Sequence, residues 1–113
     1  MLPASSRLFK ESDFKRLALK GRFTFGVLFN LKVLRNPEEV SCFGVVISAK
    51  VSKKATVRNL IKRRKTDAIR LMLPELKIGF DAMLIVKKEA IGMNYKAIEA
   101  EIRKVFKKAG LFI

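Results

Sequence analysis

Between Lys50 and Arg70 the chain reads KVSKKATVRNLIKRRKTDAIR, which holds nine of its 25 lysines and arginines against one carboxylate, Asp67. A run of like charge with no apolar period would be a solvated tail or a disordered arm. Here the apolar residues keep a helical spacing. At about 100° per residue, Val57, Leu60, Ile61, Ala68, Leu71 and Met72 gather on one face, and Arg58, Asn59, Lys62, Arg63, Thr66 and Arg70 gather opposite. The stretch predicts a helix packed on a core with a basic face turned outward, and the rest of the chain has to provide that core.

The segments around it read as follows. Met1 to Lys10 is an extended lead-in, since Pro3 and the Ser5-Ser6 pair disfavour a helical start. Ser12 is placed to cap a short helix with Phe14, Leu17 and Ala18 inward and Gly21 at its end. From Phe23 to Leu34 the period becomes two, with Phe25, Val27, Phe29, Leu31 and Val33 on one face and Asn30 and Lys32 on the other, which predicts a half-buried antiparallel strand with a break near Phe25. Asn36 and Pro37 mark a loop. Val40 to Ser48, β-branched and apolar, reads as a central strand in a hairpin with the first. Leu73 and Pro74 end the basic helix. Phe80 to Val86 (FDAMLIV) is a strand buried on both faces. Asn94 caps a last helix, stapled by Met93 and Ile98, whose inner stripe is Tyr95, Ile98, Ile102, Val105, Phe106 and Ala109, with Gly110 at its end.

The predicted order is α-β-β-α-β-α, the first strand region being open to a split. The economical architecture is a single-domain α+β sandwich over residues 1–113, with helices against one face of a central sheet and the basic helix crossing between the second and last strands. The general rule makes a parallel crossover right-handed.

Charge narrows the function. The formal net charge is +15 and the pI near 10.5, far beyond the magnitude of about 2 to 8 that solubility asks of a small domain. Nucleic acid is the first partner such a charge implies and an anionic membrane surface the second. Histidine is absent and Cys42 is the single cysteine, so the usual acid-base and soft-metal residues are nearly missing and catalysis by this chain alone is disfavoured. Cys42 reads as a small core residue that suits a reducing compartment. The start of the chain has no apolar h-region and no segment reaches the roughly 18 apolar residues of a membrane span, which predicts a cytoplasmic protein.

Three constellations can carry function. On the basic helix, Arg58 with Lys62 and Asn59 with Arg63 lie one turn apart and can grip successive phosphates, with Arg70 further along and Lys50, Lys53 and Lys54 adding cations at the N-terminus. A second set, Arg7, Phe9, Phe14, Asn30 and Lys32, combines rings and cations as a single strand requires, against the plain alternative that the two phenylalanines are core. The third is acidic: Asp13, Asp67, Asp81, Glu99 and Glu101 are scattered, unlike the converging carboxylates of a two-metal nuclease. No metal site is assigned to them.

The ordered motifs resemble the protein subunit of bacterial ribonuclease P. They are Gly44-Val45-Val46-Ile47-Ser48-Ala49-Lys50-Val51 followed by Arg58-Asn59-Leu60-Ile61-Lys62-Arg63, with RLFKESDF near the start, GFDAMLIVKK, and a closing KKAGLF. The resemblance implies a left-handed βαβ crossover in place of the right-handed default. It implies a non-catalytic subunit of a ribonucleoprotein endoribonuclease, in which an RNA subunit cleaves precursor tRNA at the 5′ end of the mature sequence with Mg²⁺ held mainly by RNA and substrate. Lys50, Arg58, Asn59, Lys62 and Arg63 would then contact the RNA subunit or metal-bound phosphates, and Phe14, Asn30, Lys32 and Val46 would line a cleft for the 5′ leader. A monomer in a 1:1 complex with the RNA is expected. The chain departs from the family at Leu60, in place of a second arginine, at Ala49, in place of a lysine, and at Ala18 and Lys32, where aromatics are common. Leu60, at the edge of the apolar face, can pack on the sheet. The alternatives are a structural RNA-binding protein, such as a ribosomal protein, and a protein-only nuclease.

Overall fold

The computed structural model describes residues 11–36, 41–47 and 50–113, with side chains from residue 15 onward in the first helix. The elements are α1 (Glu11–Lys20), β1 (Arg22–Thr24), β2 (Phe29–Arg35), β3 (Cys42–Val46), α2 (Ala55–Met72), β4 (Phe80–Val86) and α3 (Tyr95–Lys108), with short 3-10 turns at Leu73–Glu75 and Lys88–Ala90. The result is an α+β domain with one four-stranded sheet, in the order β1-β2-β4-β3.

β2 and β4 are the inner strands: β2 pairs antiparallel with β1 and with β4, and β4 pairs in addition parallel with β3. The expected hairpin between the second and first strand regions is therefore replaced by two separate pairings to β4. The Val40 to Ser48 region, expected to be central, supplies an edge strand. Its apolar, β-branched composition reports how its faces are covered, and says nothing of how many strands lie beside it.

Register sorts the side chains. Phe29, Leu31 and Val33 of β2 lie opposite Val86, Leu84 and Ala82 of β4, and Phe43 of β3 opposite the same Ala82. These join Ile61, Ala68, Ile69 and Met72 of α2 and Ile98, Ile102, Val105 and Phe106 of α3 in one core. Phe43 meets Phe80 edge-on at 5.6 Å and stacks on Phe106 at 6.0 Å. The other face carries Asn30, Lys32, Met83, Ile85, Gly44 and Val46, and α1 lies across part of it. Leu17 and Met83 are buried there, outside the main core cluster. Arg16 pairs with Asp81, which is 3% exposed, and Asn36 Nδ2 donates to the same carboxylate at 2.8 Å. Helices thus occupy both faces, a correction to the one-sided sandwich. A ten-residue helix depends on tertiary packing for its stability; among its described side chains Leu17 and the Arg16–Asp81 pair provide that packing, and the sequence does not say on which face of the sheet it is made.

Details at the helix ends and bend differ in the same way. Residue Ser12 lies within α1, which already includes Glu11, and Ala18 is exposed. The Phe23 to Leu34 region splits, β1 folding back on β2 with Phe23 opposite Lys32. Across the bend the alternation slips: Phe25 and Val27 are exposed, and Gly26 and Leu28 are buried instead. Two side chains accept from backbone N–H groups of the bend, and Lys87 and Lys108 donate to its Gly26 and Phe25 carbonyls. Glu101 Oε2 accepts from Leu28 N at 2.8 Å, and Asn30 Oδ1 accepts from Gly26 N at 3.1 Å. Gly26 is required by close approach, since a Cβ there would lie 2.1 Å from the Phe29 carbonyl oxygen and 2.6 Å from Val105 Cγ1.

On α2, Leu60 and Leu71 are exposed while Lys65 and Ile69 are buried, so the inward face is turned slightly from the sequence reading. Pro74 sits in the 3-10 turn that ends the helix. On α3 the predicted cap is present, with Asn94 Oδ1 accepting from Ala97 N at 2.9 Å. Ile98, Ile102, Val105, Phe106 and Ala109 are buried as the stripe requires, with Glu101 added to them. Arg22 Nη2 donates to the Ala109 carbonyl at 3.0 Å and ties β1 to the end of that helix.

Glu101→Leu, which leaves the buried Leu28 N–H without an acceptor, is expected to lower unfolding stability by about 1–3 kcal/mol. Glu101→Gln retains an acceptor oxygen and should lose distinctly less. Urea unfolding of both variants checks this, and equal losses would show that the hydrogen bond is not what holds the bend.

Candidate RNA interface

The N-terminus of α2 gathers cations where the helix dipole is already positive. Lys50, Lys53 and Lys54 are exposed, the first turn of α2 contains no acid, and the N-cap Lys54 makes no side-chain cap bond. Such an end is unfavourable in isolation and favourable against a phosphate, which accepts from first-turn N–H groups and neutralises the lysines.

Arg58 has a double position. It is half-buried, and its Nη2 donates to the Ile47 carbonyl at 3.2 Å, just past the end of β3. One nitrogen is therefore spent on the scaffold, which fixes the guanidinium and leaves its remaining donors toward the surface. Asn59, Lys62, Arg63 and Arg70 are exposed, with Asn59, Arg63 and Arg70 along one line of the helix by the 3.6-residue repeat. Arg70 approaches Asp67 at 3.8 Å with both side chains well exposed, a contact too weak to withdraw its charge. Leu60 is 37% exposed, so it lies at the rim of the basic face and does not enter the core as the sequence suggested.

The second constellation is on the open face of the sheet. In register, Asn30, Ile85 and Val46 form a row across β2, β4 and β3, all half-buried. The row ends beside Ile47, and thus beside Arg58. Lys32 lies one row on, its Nζ donating to the Ala18 carbonyl of α1 at 2.7 Å. The Asn30 carbonyl oxygen is taken by Gly26, so its amide NH₂ is what the row can offer a ligand. The structure thus brings Asn30, Val46 and Arg58 together and sets Lys32 at the margin, under α1. Arg7 and Phe9 lie outside the described residues, as does the Phe14 side chain. Ile85, between Asn30 and Val46, is missed by a reading that treats FDAMLIV as uniformly buried; the alternation of β4 about Asp81 and Met83 is the signal that marks it.

The acids have other work. Asp81 and Glu101 are buried in the scaffold contacts above, and Glu99 accepts from Arg103 Nε at 3.1 Å. That hydrogen bond to Glu99, with Glu75 nearby, raises the Arg103 guanidinium above its ordinary value against the opposing effect of desolvation. Among the described residues no three histidine, cysteine or carboxylate side chains cluster as metal ligands, and no helix is long and apolar enough to cross a membrane.

A three-helix, four-stranded α+β domain with a basic helix end meeting an acid-free strip of sheet belongs to the class of small RNA-binding proteins. Its relatives are specific. The sequence model of the family described as Ribonuclease P matches residues 2–110. The ribonuclease P protein component of Synechocystis sp. is 37% identical over 111 residues, 97% of this chain and 90% of that one. That of Clostridium kluyveri is 33% identical over 108 residues, 94% and 96% of the two chains. A mutant form of the Staphylococcus aureus RNase P protein superposes with a TM-score of 0.88 at 26% identity, covering 96% of this chain and 91% of that one. The chain belongs to the ribonuclease P protein family, with the function of a ribonuclease P protein subunit and ribonuclease P RNA as its partner. The ribosomal-protein alternative is not favoured.

Lys62 and Arg58 should separate on substitution. Lys62→Ala is expected to reduce the slope of log affinity against log salt by about 0.7–0.9 with an unchanged melting temperature. Arg58→Ala should weaken RNA binding and also lower stability by about 0.5–1.5 kcal/mol, because the Ile47 carbonyl loses its donor. Salt titrations of RNA binding and thermal melts of both variants provide the check.

Proposed function

We propose that the whole chain acts as one RNA-binding unit of ribonuclease P, holding the RNA subunit on the basic side of α2 and the 5′ leader of precursor tRNA on the strip between α1 and the sheet. The RNA subunit then carries the cleavage that matures the tRNA 5′ end. The observation that supports this reading is the junction made by Arg58, whose bond to the Ile47 carbonyl sets the start of the basic helix against the end of the Asn30–Ile85–Val46 row.

Each part has a distinct task. Lys50, Lys53, Lys54, Arg58, Lys62, Arg63 and Arg70 are phosphate partners, and Asn59 offers an amide to a base edge or sugar hydroxyl. On the strip, the Asn30 NH₂ and Lys32 meet the leader's polar groups while Val46 and Ile85 take apolar contact with its bases. The side chains at this site are ammonium, guanidinium and amide groups without a carboxylate among them; the Asn30 amide oxygen is already bonded to Gly26 N, which leaves the single neutral oxygen of Asn59. They suit phosphate rather than Mg²⁺, which takes oxygen donors. Mg²⁺ therefore belongs to the RNA subunit and substrate, and the protein's contribution is to bind the leader and neutralise the phosphates that crowd around it. The assembly is a 1:1 complex of a monomeric protein with its RNA, working in the cytoplasm.

Reconstitution tests the reading. The chain added to its own RNA subunit should lower the Mg²⁺ concentration needed to cleave precursor tRNA and should strengthen binding of the leader-bearing substrate. An unchanged Mg²⁺ requirement, or cleavage by the chain with no RNA subunit, would overturn it.

A further inference from the structure

The strip does not end at Asn30. Beyond it, at the β1 edge of the same face, Phe23 is 51% and Phe25 60% exposed. Phe23 lies opposite Lys32 in the β1–β2 register, so ring and ammonium stem share the open face. Phe25 lies under Lys87, whose Nζ is 4.3 Å from the ring centroid and also donates to the Gly26 carbonyl at 3.0 Å. Lys87 N donates to the Leu28 carbonyl at 3.0 Å. That bond carries the β2–β4 ladder one step further and puts Lys87 on the side of Ile85 and Met83.

Core packing does not account for these rings. Each is more than half exposed, on or next to an edge strand of three residues. Large exposed aromatics grouped with cations are a binding surface by default. The chemistry they suit is a single-stranded nucleic acid, whose bases have π-faces for the rings and whose linkages carry charge for the lysines. Lys87 stands over one face of Phe25, held there by the Gly26 carbonyl, and the residue remains 60% exposed with that contact made.

We propose that Phe23 and Phe25, each beside a lysine, stack bases of the 5′ leader beyond the portion held at Asn30 and Val46, with Lys32 and Lys87 on the phosphates between. This rests on the leader reading given above and extends it toward the β1 edge. Glu101, the acid that reaches this bend, is 8% exposed and already accepts from Leu28 N, and the exposed Glu89 lies beyond Lys88, so the side chains presented at the two rings themselves are the ammonium groups of Lys32 and Lys87.

The test uses the holoenzyme reconstituted from the full chain and its RNA subunit, with precursor tRNA and with the same tRNA lacking its leader. Phe23→Ala and Phe25→Ala should each weaken binding of the precursor about tenfold, leave the leaderless RNA unchanged, and be rescued by tyrosine at the same position. Equal losses on both RNAs, or no loss, overturn the assignment. A second readout does not depend on affinity. The chain contains no tryptophan, so Phe23→Trp introduces the protein's only indole, whose emission should be quenched by the leader-bearing RNA and not by the leaderless one. Quenching on assembly with the RNA subunit alone would give the rings to that RNA and overturn the leader assignment. A wild-type holoenzyme that binds both RNAs equally would overturn the leader reading itself, and this extension with it.

Discussion

The buried carboxylate of Asp81 decides where the open face of the sheet lies. It sits on the inner strand β4, takes Arg16 from α1 and Asn36 from the end of β2, and so fixes how far the first helix covers the sheet. A carboxylate this deep is tolerated only when its lone pairs are filled, and losing one partner of such a pair is far more damaging than the pair is stabilising. Glu101 does the same on the other side, closing the Gly26–Leu28 bend from α3. With ten acids in the chain, two placed inside leave the surface more basic than the composition alone conveys. Folding and RNA binding draw on the same shortage of negative charge, and the interior takes part of the supply.

Much of this was legible in the residues. The 3.6 period of Lys50 to Arg70 and of Tyr95 to Ala109 located both long helices, because one apolar stripe on a helix has one place to go. FDAMLIV was legible as a doubly covered strand for the same reason. What did not read through was pairing. Val40 to Ser48 has the composition of a central strand and is an edge, since β4 enters between it and β2 from far along the chain. Nor could alternation survive the bend at Gly26: Phe25 and Val27 carry the inward phase of Phe29 and Leu31 in the sequence, and the turn of the chain between β1 and β2 leaves them exposed. Glu101, which holds that bend, looked like one more surface acid on a charged helix.

At the site, charge was readable and its division of labour was not. Lys62, Asn59 and Arg63 stand on the solvent side where the helical wheel puts them. Arg58 belongs to the same set by sequence, yet it faces a backbone carbonyl as well as solvent. Leu60, the departure from the family motif, neither reaches the core nor offers a charge, and Arg64 beside it bonds the Met93 carbonyl. The basic face therefore has a neutral notch at its second helical turn, and any contact with a paired RNA must be made around it.

One feature of the sheet bears on handling the protein without RNA. β3 ends the sheet with Phe43, Gly44 and Val45 in an edge whose outer N–H and C=O groups face no strand among the described residues, the kind of ribbon that pairs readily with a second molecule. Its short length and the positive charge of the lysines that follow it work against such pairing. The net positive charge is thus also a colloidal safeguard, strongest in dilute salt and weakened as ions screen it. Bound RNA would replace repulsion by bulk.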